Sequence, residues 1–185
     1  MTKLSQFPYH VVLRNGSSSL VREIKPDDKQ RLLDVFHRLN GKSIYFRFFS
    51  AKHELTEKEL KYFTEIDFEH HVAILATIIS EGKEEIIGVG RYIEFEDNNS
   101  ERVAEVAFAV DDEHQSLGVG TILFEQIVTI AQNNGISKLE AAVLLDNKNM
   151  LEIFRHSGFN LKTATENGVV HIEFNIVGQE FNKYY

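Results

Sequence analysis

Apolar residues recur along this chain with two different periods, and the points where the period changes mark its elements. Phe7–Leu13 and Leu20–Ile24 are rich in apolar and β-branched residues and flank Asn15-Gly16, a pair that accepts positive φ. They read as a β-hairpin. Pro26-Asp27-Asp28 opens a helix: proline suits its first turn, and the acidic pair suits the positive end of its dipole. Leu32, Leu33, Val35, Phe36 and Leu39 form its apolar stripe, and Asn40-Gly41 stops it. Thr56-Glu57-Lys58-Glu59 has capping-box spacing and predicts a second helix from Thr56. Val72–Ile79, Glu85–Glu96 and Arg102–Val110 are strand-like runs joined by short turns, and so predict an antiparallel meander. The spacing then turns helical from Val119 to Ala131, up to Asn134-Gly135. Leu139–Leu145 predicts a buried strand and Lys148–His156 a helix. Phe159–Ala164 and Val169–Val177 predict a closing hairpin around Glu166-Asn167-Gly168. The sum is a mixed α/β sheet with helices on its faces.

Composition narrows the chemistry. The 185 residues suit one domain, and an apolar share of 43% is enough for a core. With no cysteine, the chain has no disulfide, thiol nucleophile or cysteine-ligated metal. The eight histidines show no metal spacing. Twenty Lys+Arg against 28 Asp+Glu leave a net charge of −8. That balance disfavours broad nucleic-acid binding and suits a cationic partner such as an amine. No stretch approaches the roughly 20 apolar residues of a membrane span, and no signal region follows Met1. The expected location is therefore cytoplasmic.

One segment carries chemistry. After the strand ending at Val110, the loop holds Gln115-Ser116-Leu117-Gly118-Val119-Gly120-Thr121, and a helix begins at once. Successive backbone N–H groups at such a junction converge on a phosphate, and glycines admit the ligand where a Cβ would intrude. A plain glycine turn into a helix has the same look. The dinucleotide fingerprint fails, because Gln115 stands where its first glycine belongs and the preceding strands are antiparallel.

Gln115–Gly120 at this position resembles the pyrophosphate loop of the GCN5-related N-acetyltransferases (GNAT), written Gln/Arg-x-x-Gly-x-Gly/Ala. Asn147-Lys148-Asn149-Met150 through Phe154, followed by Gly158-Phe159, is similar to that family's helix beside the pantetheine arm. The element order agrees over residues 16–177. The implied architecture is a GNAT fold, a mixed, mostly antiparallel sheet with helices on both faces, in a single domain over 1–185. Arg14-Asn15-Gly16, Leu20–Asp28, Ser43–Ser50 and Ile66-Asp67-Phe68 resemble the Pat-type bacterial protein lysine acetyltransferases. Relatives often carry a nucleotide-binding regulatory module or an acyl-CoA synthetase-like region, and 185 residues are expected to hold neither.

The resemblance implies an acetyl-CoA-dependent N-acetyltransferase acting on protein lysine, with AMP-forming acyl-CoA synthetases as first targets. No metal is required. The alternatives are a polyamine or antibiotic-like amine acetyltransferase, or a catalytically silent acyl-CoA-binding module. Glu105 is the one charge in the apolar run Ala104–Val110. It is either paired with Arg91 or Arg102, exposed at a strand end, or held for work. The family match makes it the catalytic base. Phe108, Ala109 and Val110 would offer backbone groups to pantetheine, and Gln115 through Thr121 would hold the pyrophosphate. Asn147 either caps its helix or touches pantetheine. Ser116 and Leu117 stand where the family commonly has Gly and a basic residue, so the loop is expected to lean on backbone amides alone. Phe154 replaces a tyrosine that many members use as the general acid, which leaves no acid to name.

Overall fold

The computed structural model describes residues 6–39, 54–96 and 101–179. Its strands are β1 (Tyr9–Val12), β2 (Ser18–Glu23), β3 (His71–Ser80), β4 (Lys83–Glu96), β5 (Arg102–Val110), β6 (Lys138–Leu144), β7 (Lys162–Glu166) and β8 (Val169–Asn175). They form one sheet in the order β1-β2-β3-β4-β5-β6-β8-β7. Every neighbouring pair is antiparallel except β5 and β6, which run parallel. The turn Asn167-Gly168 has positive φ at both residues, 50° and 78°, which closes the last hairpin with the twist its strands need.

Among the described residues, four α-helices cover the sheet: α1 (Lys29–Arg38), α2 (Glu57–Thr64), α3 (Val119–Asn133) and α4 (Lys148–His156). The Thr56 side chain accepts the Glu59 N–H while Glu59 reaches back to Thr56, so the capping box sets the start of α2. Strand alternation divides the core. Val72, Ile74, Val106 and Phe108 pack with Leu123, Ile127 and Phe154 of α3 and α4. Ala73, Leu75, Val89 and Ala109 pack with Val35, Phe36 and Phe63 of α1 and α2. Helix α3 lies very close to β4. A Cβ placed on Gly88 would stand 2.7 Å from Val119 Cγ1 and 2.9 Å from Leu123 Cδ1. That closeness fixes where the N-terminus of α3 emerges.

Two of the Pat-like motifs are structural. Arg22 forks onto Asp28 with two 2.7 Å hydrogen bonds and reaches Glu84 at 2.8 Å. Burial by itself would raise the Asp28 pKa, but the Arg22 fork and the Lys25 N–H hold it below the usual carboxylate range. Asp67 Oδ1 accepts the N–H groups of Glu69, His70 and His71 at 2.9–3.0 Å and so folds the turn into β3. The Ser43–Ser50 motif, with Arg47, lies outside the described residues, as does the helix stop at Asn40-Gly41. No described helix is long and apolar enough to cross a membrane.

Candidate active site

Past Val110, a short 3-10 turn (Asp112–His114) leads into the loop. Gln115 braces it, donating to Asp112 Oδ1 at 2.8 Å and accepting from Asn149 Nδ2 of α4 at 3.2 Å. Ser116 has φ +62° and Gly118 φ +93°, the left-handed conformation that a glycine adopts without strain. The first hydrogen bond within α3 runs from Ile122 N–H to Gly118 C=O at 3.0 Å. The amides of Val119, Gly120 and Thr121 are thus outside the helix ladder, at its positive end. Val119 is buried in the core and the Leu117 side chain packs against it, so neither brings a polar side-chain group to a ligand. Gly120 meets α4: a Cβ there would lie 2.7 Å from Ile153 Cδ1. A cavity of about 220 Å³ opens over the loop, lined by Arg14, Ser116, Gly118, Gly120 and Thr121 on one side and by Asn149, Glu152, Ile153 and His156 of α4 on the other.

Beside it, the sheet splits. The parallel ladder joins Val103 to Lys138, Ala104 to Leu139 and Glu105 to Glu140, and there it ends. Beyond Glu105, β5 stays with β4 as far as Val110, while β6 stays with β8. The edge of Val106–Val110 that faces β6 is left outside any ladder. A narrow cleft results, with Asn147, Met150 and Phe154 along it. Asn147 Oδ1 accepts the Met150 N–H at 3.2 Å and caps α4, while the same residue lines the cleft. Both expectations for it are compatible. Phe154 is buried among Phe108 and Phe124, with ring centroids at 6.3 and 5.1 Å. Among the described residues lining this cleft, none carries a titrating side chain.

Glu105 is 7% exposed and sits at the vertex of the split. Alternation puts it on the face covered by α1 and α2, between Ile93 and Glu140 in the strand register. Both proposed ion-pair partners are engaged elsewhere. Arg102 grips Glu94 at 2.6 and 2.7 Å. Arg91, fully buried, donates from Nη1 to His71 Nε2 at 3.0 Å and lies 4.6 Å from the Phe63 ring centroid. Burial drives the Arg91 pKa down to about 9. Burial, and then the Arg91 charge, drive His71 down to about 3. Because Nε2 accepts, the proton of neutral His71 resides on Nδ1. The adjacent His70 turns the other way and meets Glu94 Oε2 at 2.8 Å. Glu94 therefore pairs with both His70 and Arg102. His114 faces Asp111 at 3.4 Å and does not line the cavity over the loop. Sequence reasoning gave Arg14 no functional part, yet it stands at this loop. Only its place in the hairpin motif marked it.

Free amides at a helix N-terminus thus lie on one side of a strand pair that parts next to a buried carboxylate. The chain belongs to the acetyltransferase (GNAT) family, whose model matches residues 40–159, and it is an enzyme of the transferase class. It is 29% identical over 151 residues to the acetyltransferase Pat of Mycolicibacterium smegmatis, covering 82% of this chain and 44% of that protein. An acetyltransferase of Pseudomonas aeruginosa is 24% identical over 80% of this chain and 77% of its own. Among solved structures, the GNAT domain of S. lividans PAT superposes with a TM-score of 0.79 at 35% identity, covering 94% of this chain and 99% of that one. The yncA protein of Salmonella typhimurium, solved with acetyl-CoA, shares the fold at TM-score 0.67 and 13% identity, over 87% of this chain and 95% of its own.

Proposed function

We propose that this chain is an acetyl-CoA-dependent N-acetyltransferase whose acceptor is a lysine side chain on a folded protein. The observation that carries the reading is the parting of β5 from β6 at Glu105, on the strand that runs on into the loop before α3. The likeness to Pat and to the S. lividans domain supports the choice of acceptor.

The free amides of Val119, Gly120 and Thr121 would hold the pyrophosphate. The open edge of Phe108–Val110, with Asn147, would line the pantetheine arm. When bound, acetyl-CoA supplies an acyl group already activated as a thioester. A lysine of ordinary pKa, near 10.4, is neutral only about once in 2,500 molecules at pH 7, a deficit of roughly 4.6 kcal/mol. Glu105 accepts that proton, directly or through one water, and leaves a neutral amine facing the cleft. A carboxylate does this well where its surroundings bring its pKa toward neutrality. Neither a cysteine nor an acyl-enzyme is needed.

The test pairs the purified chain and acetyl-CoA with an AMP-forming acyl-CoA synthetase. Release of free coenzyme A is expected, together with acetylation of one lysine read by mass spectrometry. Changing that lysine to arginine should abolish the modification. Turnover of free polyamines without transfer to any folded protein would replace the reading with a small-amine transferase. Tight binding with no turnover would reduce the chain to an acyl-CoA-binding module.

A further inference from the structure

Five of the seven described arginines are paired with carboxylates: Arg22 with Asp28, Arg31 with Asp28, Arg38 with Asp111, Arg102 with Glu94, and Arg155 with Glu152. Arg91 is buried on His71. Arg14 differs from all of them. It is exposed, and among the described residues no carboxylate lies within ion-pair distance of it. Glu152, which lines the same cavity, is engaged by Arg155 at 2.6 Å.

Its position is fixed from two sides. The Arg14 backbone N–H donates to Leu117 C=O at 3.1 Å, and its Nη1 donates to Ser116 C=O at 3.4 Å. Both bonds cross about a hundred residues of sequence to tie the β1–β2 turn to the glycine loop. Arg14 Nε lies 3.9 Å from where a Cβ on Gly118 would stand, at the mouth of the cavity over the α3 amides. A guanidinium has five N–H donors, and the Ser116 carbonyl uses one. The remaining donors are available to a ligand at the positive end of α3.

We infer that Arg14 binds a phosphate of the acyl-CoA nucleotide, supplying from the β1–β2 turn the cation that Leu117 cannot. The inference rests on reading the loop as a phosphate cradle. An arginine fork suits a phosphate, and a hydrogen bond between charged partners is stronger than one from a neutral amide.

The test is calorimetry with coenzyme A, 3′-dephospho-coenzyme A and pantetheine on the wild type, Arg14→Ala and Arg14→Lys. Arg14→Ala should weaken coenzyme A binding about tenfold or more and leave pantetheine binding and the melting temperature nearly unchanged. Arg14→Lys should recover part of the loss. If the loss persists with dephospho-coenzyme A, Arg14 binds the pyrophosphate. If it disappears there, Arg14 binds the 3′-phosphate. Equal coenzyme A affinity in wild type and Arg14→Ala would overturn the inference, as would an equal loss for pantetheine. Failure of the wild type to bind coenzyme A at all would instead refute the cradle.

Discussion

Glu105 occupies a position that few carboxylates hold: buried, on a strand whose neighbours in sequence are apolar, where one ladder stops. If it is the base, Glu105→Gln should bind coenzyme A normally and lose about 10²–10⁴ in turnover, the usual scale of general-base catalysis. Turnover near the wild-type rate at neutral pH would move the base elsewhere. His71 gives a separate prediction about stability. Its folded pKa is about 3, below the ordinary value near 6.5, so between those pH values the unfolded chain binds more protons. Stability from this group is therefore complete above about pH 6.5 and is lost on acidification toward pH 3. The slope is at most about 1.4 kcal/mol per pH unit. Urea midpoints measured from pH 4 to 7 should vary less steeply in His71→Gln than in the wild type. An unchanged slope would mean that His71 titrates normally in the fold.

At the level of elements, the cradle depends on how α3 starts and on what it rests against. Gly118 and Gly120 contribute in different ways. A Cβ on Gly118 would meet nothing closer than 3.9 Å, so Gly118→Ala costs backbone strain, about 1–2 kcal/mol for a left-handed residue. Its melting temperature should fall by roughly 2–4 °C per kcal/mol. Gly120→Val adds bulk where Ile153 Cδ1 is only 2.7 Å from the new Cβ, so the Ile153 side chain must give way and the valine methyls crowd the free amides of the loop. Its coenzyme A Kd should rise at least tenfold, about 1.4 kcal/mol by calorimetry. A folded Gly120→Val chain with wild-type affinity would contradict the phosphate assignment.

For the molecule as a whole, the excess of acid over base bears on the acceptor. A net charge of −8 attracts a lysine-bearing partner through solution and repels the anionic cofactor. On a protein substrate, kcat/KM should therefore fall as salt rises past physiological ionic strength, whereas coenzyme A binding should follow a different salt curve. Parallel salt curves for both ligands would argue against steering of the acceptor.

Local signals in the sequence determined the elements, because period, caps and turn residues act over a few positions. The Thr56–Glu59 box, the Asn167-Gly168 turn and the strand-to-helix change at Val110–Val119 all stand where the pattern placed them. The same local chemistry made Gln115–Thr121 legible as a helix-terminus loop. What depends on residues distant in sequence was not legible. Leu117 could be read as a missing cation, but not as a side chain packed against the core, since only the tertiary fold brings the core to it. The two arginines offered as partners for Glu105 have other partners, chosen by strand register rather than by spacing. Arg14 reaches the loop because the hairpin folds over it, bringing the guanidinium to Ser116 across 102 positions of chain. The parting of β5 from β6 is likewise a property of how the ladders end, which no single strand encodes.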